Sequence, residues 1–85
     1  MNSFTVLWPP SILSDLTQIW LQARHRRAVT AAQARIDQVL TNNPLDPAAH
    51  QSEGLFRLYV WPLVVTYEVD EDQRVVEITS IRYLP

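Results

Sequence analysis

Arg57, Tyr59, Arg82 and Tyr83 are the residues of this chain with the strongest chemical potential, and His50 and Glu53 precede the first pair closely in sequence. An arginine fork matches phosphate and carboxylate oxygens and steadies the charge that builds during phosphoryl transfer. Tyrosine stacks on a base or donates a proton, and histidine or glutamate moves protons near neutral pH. Such a set is what metal-free RNA cleavage requires. The plainer reading makes Arg57 an exposed cross-strand partner for a glutamate and the tyrosines amphipathic packing residues.

Other chemistries find little support. His25 and His50 are the only histidines, they lie in different segments, and cysteine is absent, so no zinc spacing exists and no metal is expected. Gly54 is the only glycine, which excludes a glycine-rich phosphate loop, and no GxSxG elbow occurs; no cofactor is expected. The acidic run EVDED at 68–72 lacks the spaced ligands of a calcium loop and reads as a solvated turn. The basic cluster RHRR at 24–27 includes Arg26 and Arg27 as candidate anchors for an anionic partner, although adjacent residues at a helical junction point in different directions.

The elements that must position these residues follow from periodicity. Residues 3–8, SFTVLW, read as a first strand ending at Pro9-Pro10. Ser11 is a candidate cap for a helix over about 12–24, with Ile12, Leu16, Ile19, Trp20 and Ala23 on one stripe. After RHRR, Val29, Ala32, Ile36, Val39 and Leu40 share the face of a second helix, which Asn42-Asn43-Pro44 ends. Residues 41–53 are expected to form a polar loop.

Beyond Gly54 the period becomes that of strands, over 54–60, 63–69 and 74–82, with turns at Trp61-Pro62 and at 70–73. Alternation assigns Phe56, Leu58, Val60, Val65, Tyr67 and Val69 to a helix-covered face. It leaves Leu55, Arg57, Tyr59, Val64, Thr66 and Glu68 on an open one. The order β-α-α-β-β-β predicts an α+β domain, one small and mainly antiparallel sheet covered on one face by a helical hairpin.

The totals agree with a single domain over 1–85, since 85 residues with 47% hydrophobic content can build one covered sheet. No apolar run approaches the roughly 18 residues of a membrane span, and the start lacks a signal-peptide pattern, so a cytoplasmic location is expected. Seven arginines, no lysine and nine carboxylates give a net charge of −2, so contact with nucleic acid would depend on a local patch.

The order of elements and the hairpin GLFRLYVWPLVVTYEVDED together resemble the RelE/ParE superfamily of toxins from bacterial type II toxin–antitoxin systems. The resemblance extends through VLWPPSILSDLTQIW, ARIDQVLTNNP and VVEITSIRYLP, nearly the whole chain. It implies a growth-inhibiting toxin of the plasmid-stabilisation type, neutralised by a cognate antitoxin. RelE-like members cleave messenger RNA on the ribosome and ParE-like members poison DNA gyrase, and the shared fold does not choose between them.

By this resemblance Arg57 and Arg82 carry over as functional residues, with Tyr83 as a candidate; residue type and placement, apart from the resemblance, make Tyr59, Val64, His50, Arg26 and Arg27 candidates for binding. Val64 stands where many relatives have an arginine, the lysines of the RelE type are missing, and Leu84-Pro85 replaces further polar residues. The alternative reading is a non-enzymatic, degenerate toxin-fold module that binds a protein partner, or pairs as a homodimer, through an exposed Leu55, Tyr59, Val64 surface.

Overall fold

Gly54 takes φ +74°, the left-handed conformation that glycine adopts without steric penalty, and the chain there enters a hairpin. The computed structural model describes residues 3–85. In chain order it contains β1 (Thr5–Leu7), α1 (Pro10–Gln22), α2 (Arg26–Asn42), a 3-10 turn (Pro47–Ala49), β2 (His50–Ser52), β3 (Leu55–Val60), β4 (Leu63–Asp70) and β5 (Val75–Tyr83). The five strands form one sheet ordered β1-β5-β4-β3-β2. Only the β1–β5 pairing is parallel. This is the expected α+β arrangement of a helical hairpin on a small sheet.

The helices bind the sheet through the stripes their periods define. Val29, Ala32, Ile36 and Leu40 of α2 and Ile12 and Leu16 of α1 pack with Val65, Tyr67, Val76, Ile78 and Ile81. Burying each large aliphatic side chain is worth ~1.5–3 kcal/mol, so this shared layer fixes the sheet's covered face. Trp20 is the departure, 40% exposed at the rim although its spacing matches the stripe.

Several boundaries differ from expectation. α1 begins at Pro10, with Pro9 at the cap position and no side-chain cap, so Ser11 lies inside the first turn. Proline is suited to that first position because its fixed φ is helical and its missing N–H has no partner there anyway. Segment 41–53 is not simply a loop: the 3-10 turn and β2 lie within it, and Asp46 caps the turn by accepting from the Ala48 N–H.

The register of β4 against β5 slips once. Thr66 pairs with Ser80 and Tyr67 with Ile78, leaving Thr79 as a bulge. Thus Ile78 and Ile81, an odd number of residues apart, both enter the core. Among the described residues, no helix is long and apolar enough to cross a membrane.

Candidate functional site

The uncovered face of the three central strands carries two cross-strand rows. Arg57 lies opposite Thr66, which lies opposite Ser80. Tyr59 lies opposite Val64, which lies opposite Arg82. The two arginines therefore sit diagonally across β4, on a floor of Val64 and Thr66. Both are exposed, and among the described residues neither has a hydrogen-bond or ion-pair partner. Opposite Arg57 stands a threonine, so the expected arginine–glutamate pair is not what fills this position.

The floor is ordered by hydroxyls. Thr66 Oγ1 and Thr79 Oγ1 are 3.0 Å apart, and Thr66 Oγ1 also bonds to the Ser80 hydroxyl. Tyr59 is 53% exposed, and its Oη donates to the Leu84 carbonyl at 3.3 Å. The chain end is thereby held along the row of Arg82; the Leu84 N–H reinforces this by donating to the Pro62 carbonyl at 2.7 Å.

Val64 corrects the expectation of an exposed apolar patch. It is only 9% exposed, because β4 is the central strand and Val64 is flanked on one face by the long side chains of Tyr59 and Arg82. A valine there serves as a floor between two polar neighbours rather than as a contact surface.

Tyr83 and His50 lie away from the arginines. Tyr83 follows Arg82 directly, so the pleat turns it to the covered face, where it packs against the core. His50 pairs with Phe56, with ring centroids 5.3 Å apart, and Phe56 stacks on buried Tyr67 at 5.4 Å. That places His50 on the helix side of the sheet. Glu53 is exposed in the turn before Gly54. Among the described residues, no group of three or more His, Asp or Glu side chains could hold a metal ion.

The basic junction divides into two roles. Arg26 Nε donates to the Trp20 carbonyl at 3.0 Å and its NH2 to the Leu21 carbonyl at 2.7 Å, while the guanidinium stands 4.8 Å from the Trp20 ring. It closes the end of α1. Arg24 and Arg27 stay exposed beside a cleft of about 610 Å³ that His25 and Trp61 also line. Trp61, at the hairpin tip and 48% exposed, has its ring centroid 5.5 Å from that of His25. Sequence reasoning treated Trp61 as a turn residue and did not connect it to the junction; an exposed tryptophan beside proline was the signal available.

Known proteins resemble this chain in fold more than in sequence. A double arginine-to-alanine mutant of the E. coli toxin RelE, in the free state, superposes with a TM-score of 0.73 at 10% identity, over 95% of this chain and 83% of that one. The RelBE2 toxin–antitoxin complex of Mycobacterium tuberculosis matches with a TM-score of 0.71 at 20% identity, over 95% of this chain and 98% of that one. No curated protein matches the chain in sequence. The family model for the ParE toxin of the parDE type II toxin–antitoxin system matches residues 6–83. The chain accordingly belongs to the ParE toxin family, within the RelE/ParE superfamily of type II toxin–antitoxin systems.

Proposed function

We propose that the protein is a toxin restrained by a cognate antitoxin and that it acts by binding its target, DNA gyrase, through the Arg57–Tyr59–Arg82 face, not by cutting messenger RNA on the ribosome. The observation that carries this reading is the separation of the arginines from the proton-transfer candidates. Arg57 and Arg82 share the open face, whereas His50 and Tyr83 are on the covered side. Metal-free RNA cleavage needs a base within hydrogen-bond reach of the 2′-hydroxyl. Tyr59 is the one such group in the rows of the arginines, and its proton is directed at the Leu84 carbonyl. Two unpaired guanidinium groups on a floor of Val64 and Thr66 suit the recognition of acidic groups on a target. The antitoxin partner is supported by the family, which pairs toxin with antitoxin, and by the RelBE2 likeness.

Induced expression without antitoxin tests the reading. Growth arrest, loss of gyrase supercoiling activity with purified protein, and an unchanged map of messenger RNA 5′ ends are expected. New 5′ ends at ribosome-occupied codons with gyrase unaffected would assign the RelE-type activity instead.

A further inference from the structure

Arginine and carboxylate are segregated along this chain. Segments 16–36, 54–67 and 78–85 contain every arginine except Arg74 and no carboxylate. The fold brings parts of all three to one end of the molecule: the α1–α2 junction, the Trp61–Pro62 turn beside it, and the end of β5. The acidic turn that begins at Asp70 lies at the other end of β4, and the run from Leu63 to Asp70 spans about 23 Å. That exceeds the Debye length of about 8 Å at physiological salt, so the negative end does not neutralise the positive one.

The cleft of about 610 Å³ at this end combines two kinds of wall. Arg24 and Arg27 are exposed, and among the described residues neither has a hydrogen-bond or ion-pair partner. Their neighbour Arg26 is committed to the Trp20 and Leu21 carbonyls. Arg27 stands in the first turn of α2, where a cation opposes the helix dipole, so stability of the fold does not account for its charge. The second wall is aromatic. Trp61 keeps 48% of its surface exposed at the hairpin tip, propped by the His25 ring at 5.5 Å and a tilt of 48°. Burial does not account for an indole so exposed, whereas an indole beside free guanidinium groups offers stacking and charge within one cleft.

We propose that this cleft binds a nucleoside phosphate, with the base against Trp61 and the phosphate held by Arg24 and Arg27. Its volume lies within the roughly 300–1,000 Å³ of small-molecule sites. An acidic peptide would satisfy the arginines and leave the indole uncovered, and an apolar ligand would do the reverse. A group that is flat at one end and dianionic at the other uses both walls, and arginine forks hold phosphate oxygens in pairs. The site is separate from the Arg57–Tyr59–Arg82 face: Trp61 leans on His25 at the helical junction, whereas that face looks away from the helices. The inference therefore does not depend on which target the toxin has. A free nucleotide and the phosphorylated end of a strand share this chemistry.

Calorimetric titration of the full chain with AMP and with 5′-phosphorylated tetra-adenylate tests it. Saturable binding is expected, with ribose 5-phosphate and adenosine each at least about tenfold weaker than AMP, because each keeps one of the two contacts. Tetra-adenylate no tighter than AMP assigns a free nucleotide; tetra-adenylate more than about tenfold tighter assigns the end of a strand. Arg24→Gln/Arg27→Gln and Trp61→Leu should each weaken binding at least about tenfold while melting like wild type, and Arg57→Ala/Arg82→Ala should leave it unchanged. No binding of either probe, ribose 5-phosphate as tight as AMP, or binding lost in Arg57→Ala/Arg82→Ala and kept in Arg24→Gln/Arg27→Gln would each overturn the proposal. The Trp61 indole resonance in the wild-type NMR spectrum should also shift with AMP, a readout that needs no variant to fold; an unmoved resonance overturns the proposal.

Discussion

Tyr67 donates a 2.9 Å hydrogen bond from its hydroxyl to the carbonyl of Pro44, joining the centre of β4 to the segment that follows α2. Tyr67 is 1% exposed and Pro44 is also fully buried, so no water is positioned to replace the donor. Tyr67→Phe keeps the ring and its stacking on Phe56 but strands a buried carbonyl. It is expected to cost about 1–2 kcal/mol in urea unfolding, with Tyr67→Ala costing ~3–5 kcal/mol through lost packing. A phenylalanine variant as stable as wild type would show that this bond does not anchor the segment.

The same hydroxyl predicts a pH dependence. Burial, reinforced by the nearby Asp46 carboxylate, raises the Tyr67 pKa from 10.0 to about 12. The folded state holds this proton more tightly than the unfolded state, so its contribution to stability is fully present below pH 10 and is lost as pH rises through about 12. Denaturation measured from pH 9 upward should therefore decline less steeply in Tyr67→Phe than in wild type. Equal slopes for the two proteins would remove Tyr67 as the source of alkaline sensitivity.

Arg26 and Arg27 are adjacent, yet they should respond differently to truncation. Arg26 satisfies two carbonyls at the end of α1 and stands over Trp20, so Arg26→Ala is expected to lower stability by about 1–2 kcal/mol through lost charge-assisted bonds. Arg27 is exposed, and Arg27→Ala should stay within about 0.5 kcal/mol of wild type. Thermal melts of the two variants distinguish a structural clasp from a generally basic surface; similar losses would contradict the division.

Much of the fold was legible because its signals are local. The spacing of Val29, Ala32, Ile36 and Leu40 specifies a helix face, and the alternation around Trp61-Pro62 specifies a hairpin. β2 was not legible, since His50-Gln51-Ser52 has no apolar alternation and gains its strand conformation only by pairing with β3. The site was legible in part. Arg57 and Arg82 do share a face, but grouping Tyr83 with them overlooked the pleat, which sends adjacent residues to opposite sides. The sealing of Val64 depends on strand order, because only a central strand places neighbours such as Tyr59 and Arg82 on both sides.

The placement of these residues predicts the effect of site mutations on toxicity. Arg57→Ala and Arg82→Ala should each weaken target binding about tenfold to a hundredfold, the equivalent of one lost charge-assisted contact, with little change in stability. Tyr83→Phe should remain as toxic as wild type, since its ring packs against the core on the covered face. Growth after induction, compared at equal levels of soluble protein, checks all three. A non-toxic Tyr83→Phe variant that folds normally would return that hydroxyl to the site.

The bulge at Thr79 is what allows β5 to serve both faces. Val76 and Ile78 point inward in one phase and Ile81 and Tyr83 in the other, and the single extra residue between Thr66 and Tyr67 on the partner register absorbs the change. Deleting Thr79 gives β5 a continuous alternation in which Ile78, Ile81 and Tyr83 stay inward and Ser80 and Arg82 stay outward, the faces they hold with the bulge. The deletion is thus expected to keep cooperative unfolding and toxicity, with a loss of about 1 kcal/mol from the missing Thr66–Thr79 hydroxyl contact, and Thr79→Ala, which keeps the bulge and removes the same hydroxyl, should lose a similar amount. Circular dichroism melts of the two variants decide the matter: a deletion variant that no longer unfolds cooperatively would mean that the bulge itself is needed to hold the register.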